Sequence, residues 1–238
     1  MDNRGSFVSG LDTRFRQFCE TYCAEPCVVE VAGLDLIIHP RVFRAEGAST
    51  TATLIEALGH PEGQRVLDMG CGTGIVGILA AQRGARSVVL ADRCQHAVDN
   101  ARANVVHHQL QERCEVRQSD LFTSIEGTFD LIVFNIPFLY AEHENEIELP
   151  APEHLADALP PREAFADVGY RMIRAFMSGA KGHLAPDGAI RCTFASFGNQ
   201  EVFDAILQDE GLTRRTVASR VEAQYGLEYL AYEIRRAR

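Results

Sequence analysis

A glycine-rich segment with one acid lies between a short apolar stretch and a predicted helix, in the range 66–77. Asp68 is followed by Gly70, Gly72 and Gly74, so glycines alternate with other residues. Glycine lets the backbone turn sharply and lets a ligand approach where a Cβ atom would clash, and the helix that follows offers unpaired N–H groups. A G-x-G-x-x-G pattern is also present, but the acid would repel a dinucleotide's pyrophosphate. The segment therefore favours a ligand with a cationic amino group and no phosphate.

Other polar side chains follow later predicted strands. Asp92 ends the second strand, Asp120 follows the third, and Asn135 begins the sequence Asn-Ile-Pro-Phe after the fourth. Ser196 ends a further strand. Because open α/β sheets bind ligands where the carboxyl ends of their strands meet, we expect these residues to lie at one site.

The elements that must position these residues follow from the rhythm of apolar residues. Short apolar runs predict strands at RVLDM, SVVLA, CEVRQ and FDLIVFN, and the intervening segments predict helices over 75–83 and 95–106. Such alternation is typical of βαβ units. The sequence therefore predicts an α/β fold with a doubly wound, Rossmann-like sheet of seven mostly parallel strands. An antiparallel pair over 214–221 and 227–234 ends the sheet.

A further region precedes this pattern. A helical stripe over 11–24, a hairpin around Gly33 and a helix ending near Leu58 are predicted there. We expect these elements to form an N-terminal lid. The predicted division is therefore residues 1–60 as a helical and hairpin lid, and residues 61–238 as the ligand-binding domain.

An irregular stretch over 140–161 follows the fourth strand. Eight acids lie between Glu142 and Asp167. A long irregular segment in a compact domain is typical of a lid or a binding loop. A helix predicted from Glu163 to about Gly179 comes next, and it would place the Tyr170 hydroxyl over the mouth of the pocket.

The charge balance bears on possible partners. The 238 residues include 23 basic and 33 acidic side chains, a net charge of −10, and no third of the chain is basic. Because proteins that grip a phosphate backbone normally present a positive patch, a nucleic-acid partner is not expected. No apolar stretch is long enough to span a membrane and no export signal is visible, which predicts a cytoplasmic protein without a membrane partner.

Seven cysteines, an odd number, are expected to be free thiols. Cys19, Cys23 and Cys27 are spaced C-x3-C-x3-C, one residue longer than the run that holds an iron–sulfur cluster in radical enzymes. Pro26 also interrupts the helix before the third thiol. Packing of Cys19 and Cys23 on one helix face is the favoured interpretation. The histidines show no ligand spacing, so no metal is predicted.

The succession of strand-end residues resembles the class I S-adenosylmethionine-dependent methyltransferases over about residues 65–210. The resemblance implies S-adenosylmethionine as the cofactor. It also implies that Asp92 binds the ribose hydroxyls, that Asp120 reads the adenine amino group, and that Leu121 lies at the adenine edge. The residues implied to bind the cofactor are Asp68, Gly70, Cys71, Gly72, Gly74, Asp92, Arg93, Asp120, Leu121 and Asn135.

The sequence from Asn135 to Phe138 resembles the N-P-P-[FY] motif of amino-methyltransferases, such as the release-factor glutamine methyltransferases and the small-domain ribosomal-RNA guanine enzymes. The resemblance implies that Asn135 and the Ile136 carbonyl accept hydrogen bonds from a planar amine while the Phe138 ring stacks on the substrate. Ile136 replaces the first proline of the motif. With the acidic composition, this departure favours a small amine or amino-acid-like acceptor over protein or RNA.

Three alternatives remain open. Some methyltransferase-like proteins cyclise S-adenosylmethionine itself to azetidine-2-carboxylate and release methylthioadenosine, and Asn135, Tyr170 and Ser196 would serve that chemistry as catalytic residues. A binding protein without catalysis is a second alternative, although it would not need Asn135 beside the methyl group. An NAD-dependent oxidoreductase is a third and fits the glycine register poorly. The sequence leaves the acceptor and the oligomeric state open.

Overall fold

The computed structural model describes residues 25–143 and 159–237. The predicted helix over 11–24, with Cys19 and Cys23, lies outside the described residues. So does most of the acidic stretch after the fourth strand.

The described chain begins with an antiparallel hairpin and a helix. Strand β1, Cys27–Val31, pairs with β2, Leu34–Ile38. Ala32 and Gly33 join the strands with φ values of 52° and 81°, a left-handed turn that glycine favours. Helix α1, Ser49–Leu58, follows. The predicted hairpin and helix are both present.

A run of alternating strands and helices comes next. It contains β3, Arg65–Met69; α2, Ile75–Gln82; β4, Ser87–Asp92; α3, Gln95–His107; β5, Cys114–Gln118; and β6, Phe129–Phe134. The neighbouring strands β5, β4, β3 and β6 all pair in parallel. Each helix therefore returns the chain to the same end of the sheet, as βαβ units require.

The rest of the described chain completes the sheet. It contains β7, Leu139–Ala141; a 3-10 turn, Arg162–Ala164; β8, Ala166–Val168; α4, Arg171–His183; β9, Leu184–Ala195; α5, Gln200–Asp209; β10, Leu212–Glu222; and β11, Leu227–Arg236. The seven strands lie in the order β10-β11-β9-β6-β3-β4-β5. Strand β11 is antiparallel to both of its neighbours. This confirms the predicted mostly parallel sheet with an antiparallel final pair.

Two layers of helices cover the sheet. Helices α1, α2 and α3 pack on one face, where Val66 is buried, and α4 and α5 pack on the other, where Leu67 is buried. Successive strand residues point to opposite faces, so both must be apolar in a doubly covered sheet. Among the described residues, no helix has the length and apolar character needed to cross a membrane.

The helix predicted from Glu163 begins instead at Arg171. The carboxylate of Asp167 accepts hydrogen bonds from the backbone N–H groups of Met172 at 3.1 Å and Ile173 at 2.8 Å. Tyr170, with φ of 50°, turns the chain into the helix in the left-handed region. Asp167 therefore caps α4. It lies in the middle of β8, a strand that was not predicted from the sequence.

Arg191 anchors α1 to the sheet. Its Nη1 donates hydrogen bonds to the carbonyls of Ala57 and, at 2.8 Å, of Leu58 at the C-terminal end of α1. Its Nη2 donates to Glu233, 3.1 Å away, whose carboxylate is buried. Although burial alone would raise it, hydrogen bonds from Arg235, Arg215 and Arg191 lower the pKa of Glu233 to about 2. A cation at a helix C-terminus is favourable, so this charge network fixes α1 in place.

Candidate functional site

A cavity of about 530 Å³ opens at the carboxyl ends of β3, β4, β5 and β6. Its walls also include the 3-10 turn, β8 and the first residues of α4. The predicted cofactor residues that line this cavity are Asp68, Gly70, Cys71, Gly72, Asp92, Arg93, Asp120, Leu121 and Asn135. We call it the first cavity.

The three loop glycines have different functions. Gly70, Gly72 and Gly74 all have positive φ values, 61°, 53° and 83°. A Cβ atom on Gly72 would lie in open space, so this position leaves room for a ligand. A Cβ atom on Gly70 would lie 2.5 Å from the Phe134 ring. Gly74 does not line the first cavity; a Cβ there would lie 3.1 Å from Leu90, so this glycine serves helix packing.

Asp68 is a buried carboxyl at the end of β3. Its Oδ2 accepts a hydrogen bond from the Gly77 backbone N–H at 2.8 Å. This bond holds the first turn of α2 against Asp68. Burial, opposed by the Gly77 hydrogen bond and assisted by the negative charge of Asp92, raises the pKa of Asp68 to about 7. A cation placed beside Asp68 would stabilise its ionised form.

Asp92 ends β4 and braces the glycine loop. Its Oδ2 accepts a hydrogen bond from the Gly72 N–H at 3.0 Å, and its Oδ1 accepts from the Cys94 N–H at 2.9 Å. Burial raises the pKa of Asp92, although these hydrogen bonds oppose the shift. Each carboxylate oxygen has a second lone pair, so both can still accept from a ligand.

Asp120 is exposed and is followed by Leu121, whose φ of 48° is unusual for a residue with a side chain. Buried Ser119 fixes this turn. Its hydroxyl donates to the Leu121 carbonyl at 2.6 Å and accepts from the Ser124 N–H at 3.0 Å. Ser119 was not predicted as a site residue, although serine is common where a side chain must satisfy a turn.

A smaller, mostly apolar cavity of about 120 Å³ adjoins the first. We call it the second cavity. Ile136 and Phe138 line it with rings of Phe165, Phe197 and Tyr229. Asn135 and Pro137 line both cavities, so the Asn-Ile-Pro-Phe segment separates them.

Two threonines hold the Asn135 carboxamide. The Thr193 hydroxyl on β9 donates to Asn135 Oδ1 at 2.5 Å. Asn135 Nδ2 donates to the Thr50 hydroxyl on α1 at 3.4 Å. Both threonines are buried. Neither threonine was predicted from the sequence, because Thr50 precedes Asn135 by 85 positions and Thr193 follows it by 58.

The structure does not bring Tyr170 and Ser196 into the site. Tyr170 is fully buried, and its hydroxyl donates to the Phe138 carbonyl at 2.6 Å and accepts from the Asn199 N–H at 3.0 Å. The prediction that its hydroxyl covers the pocket mouth is wrong, because the hydroxyl is buried against these two backbone groups. Ser196 is exposed at the end of β9 and lines neither cavity.

Part of the N-terminal region forms a wall of the first cavity. The residues that line the cavity from this region are Arg41, Val42, Phe43, Ala45 and Thr51.

Two buried asparagines on α3 dock the hairpin behind this wall. Asn104 accepts from the Ile37 N–H at 2.8 Å and donates to the Ile37 carbonyl at 2.8 Å and the Thr73 carbonyl at 2.9 Å. Asn100 donates to the same Ile37 carbonyl at 2.7 Å. Their four-residue spacing on a helix is a signal that the sequence offered.

The described cysteines are free thiols, as expected. Burial and the charges of Asp92 and Asp68 raise the pKa of Cys71 well above its usual range. Cys71 therefore lines the first cavity with a neutral thiol. Among the described residues, no group of three or more histidine, cysteine or acidic side chains is arranged to hold a metal ion.

Two relatives match much of this chain. Over 125 residues it is 34% identical to a protein of Methanocaldococcus jannaschii named for protein N5-glutamine methylation, a match that covers 51% of this chain and 59% of that protein. Over 160 residues it is 31% identical to the ribosomal RNA small subunit methyltransferase C of Haemophilus influenzae, covering 66% of this chain and 41% of that protein. The chain thus spans about half the length of these relatives.

A solved structure has the same fold. The ribosomal protein L11 methylase of Lactobacillus delbrueckii subsp. bulgaricus superposes with a TM-score of 0.58 at 18% sequence identity. The superposition covers 89% of this chain and 99% of that one.

The sequence predicted a small-molecule substrate and no nucleic-acid partner. These relatives contradict both predictions. The names of the two relatives give a protein glutamine and a ribosomal RNA as substrates. Net charge was a poor guide, because a sum over the chain does not report the local surface that meets a macromolecule. The family model for the methyltransferase small domain matches residues 33–156, just over half of the chain. The chain therefore belongs to the methyltransferase small domain family.

Proposed function

We propose that this protein is an S-adenosylmethionine-dependent methyltransferase that modifies a planar nitrogen on a macromolecule. The observation that carries the proposal is the position of Asn135 and Pro137 between two cavities. Such an arrangement provides one compartment for a methyl donor and one for an acceptor, with a polar side chain where they meet. Membership of the methyltransferase small domain family supports the same reaction.

The residues of the first cavity fit S-adenosylmethionine. Asp68 is a buried carboxyl that a ligand's ammonium group would stabilise in its ionised form. The open space at Gly72 would admit the ligand, and Asp92 would accept hydrogen bonds from its ribose hydroxyls. Asp120 and Leu121 would face its adenine. When bound, S-adenosylmethionine supplies an activated methyl group on a sulfonium.

The residues of the second cavity would position the acceptor. Asn135 Oδ1 has one lone pair left after its bond from Thr193, and we propose that it and the Ile136 carbonyl accept hydrogen bonds from the acceptor's N–H groups. These contacts would direct the nitrogen lone pair towards the first cavity. Phe138 and the neighbouring rings would exclude water. Positioning of this kind accelerates a transfer whose donor is already activated.

The cyclisation of S-adenosylmethionine receives no support from the site. That chemistry required Tyr170 and Ser196 to hold the amine and the carboxylate. The Tyr170 hydroxyl is occupied by two backbone groups, and neither residue lines a cavity. A second compartment would also serve no purpose in an enzyme that closes one molecule on itself.

The proposal is tested with S-adenosylmethionine that carries a tritiated methyl group. The protein is incubated with total RNA or total protein of a bacterial lysate, and the label is followed into material sensitive to ribonuclease or to protease. We expect incorporation into one of the two fractions. Asn135→Ala should lower it at least about tenfold with little change in cofactor affinity, whereas Gln95→Ala on the exposed side of α3 should not. Binding without incorporation into either fraction would contradict the proposal.

A further inference from the structure

The Asn135 carboxamide is oriented by a hydroxyl from the centre of the sheet. Thr193 lies on β9, is fully buried, and donates to Asn135 Oδ1 at 2.5 Å. On the other side, Asn135 Nδ2 donates to Thr50, but this contact is longer, 3.4 Å, and it belongs to the N-terminal region. The sheet therefore supplies the shorter of the two contacts that hold the group.

We propose that Thr193 is a positioning residue that determines which end of the Asn135 carboxamide faces the acceptor nitrogen. The inference rests on the proposed function. In the observed orientation, the carboxamide can offer an oxygen lone pair to an N–H donor. Rotated by half a turn, it would offer its own N–H groups instead, and two donors would then face each other.

Shape alone does not select between these orientations, because the oxygen and the NH₂ group of a carboxamide are nearly equal in size. Hydrogen bonding selects between the two orientations. Within residues 25–143 and 159–237, the side chain of Thr193 has Asn135 Oδ1 as its one hydrogen-bond acceptor. If the carboxamide rotated, Nδ2 could donate to Thr193, but the buried hydroxyl proton would lose its acceptor. An unsatisfied buried donor is costly. Thr50 lines the second cavity whereas Thr193 lines neither cavity, so the Thr193 hydroxyl is the more constrained of the two and selects the orientation that serves the reaction.

Three variants test this role. Thr193→Val keeps the shape of the side chain and removes the hydroxyl, whereas Thr193→Ser keeps the hydroxyl. Thr53→Val is the matched control: Thr53 is also fully buried, its hydroxyl donates to the Ser49 carbonyl at 2.7 Å, and it lines neither cavity. We expect Thr193→Val to lower kcat at least about tenfold, with the Kd of S-adenosylmethionine changed less than about twofold. Thr193→Ser should retain kcat within about threefold, and Thr53→Val should leave it unchanged.

A second measurement does not depend on an acceptor. The side-chain NH₂ resonances of Asn135 are identified by NMR through their loss in Asn135→Ala, and are then compared among the variants. We expect Thr193→Val to shift or broaden them and Thr193→Ser to preserve them. Unchanged resonances in Thr193→Val would overturn the inference, as would full kcat in that variant. If the unaltered protein transfers no methyl group to any fraction, the proposed function fails, and the resonances still decide the role of Thr193.

Discussion

The Asp92 carboxylate accepts a hydrogen bond from the Gly72 backbone N–H, with 3.0 Å between Oδ2 and the nitrogen. The acid that ends β4 therefore shapes the glycine loop that follows β3. Both residues line the first cavity, so the loop is held in its ligand-accepting form by the same side chain that we propose to bind the ribose. We therefore expect cofactor binding to depend on the charge of Asp92.

Replacement of Asp92 by Asn should weaken S-adenosylmethionine binding by roughly 10- to 100-fold, because hydrogen bonds to a charged acceptor contribute about 1.5–3 kcal/mol. The change keeps the shape of the side chain. Isothermal titration calorimetry measures the effect, and Asp99→Asn, at an exposed acid on α3, is the control. An unchanged Kd in Asp92→Asn would show that the ribose lies elsewhere.

Cofactor binding should weaken as the pH falls through the pKa of Asp68, about 7. Burial raises this pKa, so the cavity without ligand takes up a proton near neutral pH, while an ammonium group beside Asp68 would favour the ionised form. Linkage then predicts a Kd roughly five- to tenfold higher at pH 6 than at pH 7.5. The raised pKa of Asp92 acts in the same direction.

The control for this pH dependence is Asp68→Asn. It should bind S-adenosylmethionine more weakly at every pH and should show a flatter profile, because the titrating carboxyl is gone. If the protein itself gave a flat profile between pH 6 and 7.5, the placement of the amino group beside Asp68 would be wrong.

Gly70→Ala and Gly72→Ala should have different effects, although the glycines are two positions apart. An alanine at 70 would force its Cβ to within 2.5 Å of the Phe134 ring and keep a left-handed backbone, so the free energy of unfolding should fall by about 2–4 kcal/mol. An alanine at 72 meets no protein atom within 4 Å, so its cost to stability is that of the backbone alone, about 1 kcal/mol.

The second glycine should instead affect binding. A methyl group at position 72 would occupy space in the first cavity, and we expect at least a tenfold loss of S-adenosylmethionine affinity in Gly72→Ala. Urea denaturation and calorimetry on both variants separate the two effects. Equal losses of stability with intact binding in both would contradict the assignment of this loop.

Asn104→Leu should destabilise the protein by about 2–4 kcal/mol. The change removes two hydrogen bonds to Ile37 and one to Thr73, and it takes these partners from the Ile37 N–H and the Thr73 carbonyl. Because Thr73 belongs to the glycine loop, cofactor affinity should fall as well. Gln95→Leu, on the exposed side of the same helix, should alter stability by less than about 0.5 kcal/mol. Equal changes in stability and in cofactor affinity in the two variants would contradict the proposed connection between the hairpin and the glycine loop.

The sheet could be predicted from the sequence because its strands are short apolar runs separated by helices, and because Asp68, Asp92 and Asn135 mark three of the strand ends. Local pattern was sufficient there. It was insufficient for Tyr170, where the Asp167 cap moved the start of α4 beyond the predicted residue. It was insufficient too for Thr50 and Thr193, since a contact between residues so far apart in the chain depends on the completed sheet and on α1 packed against it.

We propose that this site transfers a methyl group from S-adenosylmethionine to a macromolecule. The most direct test is to identify by mass spectrometry the adenosine product formed with and without the acceptor fraction. We predict S-adenosylhomocysteine, formed in proportion to the methyl groups gained by the RNA or the protein and only when that fraction is present. Methylthioadenosine formed without any acceptor would contradict this function.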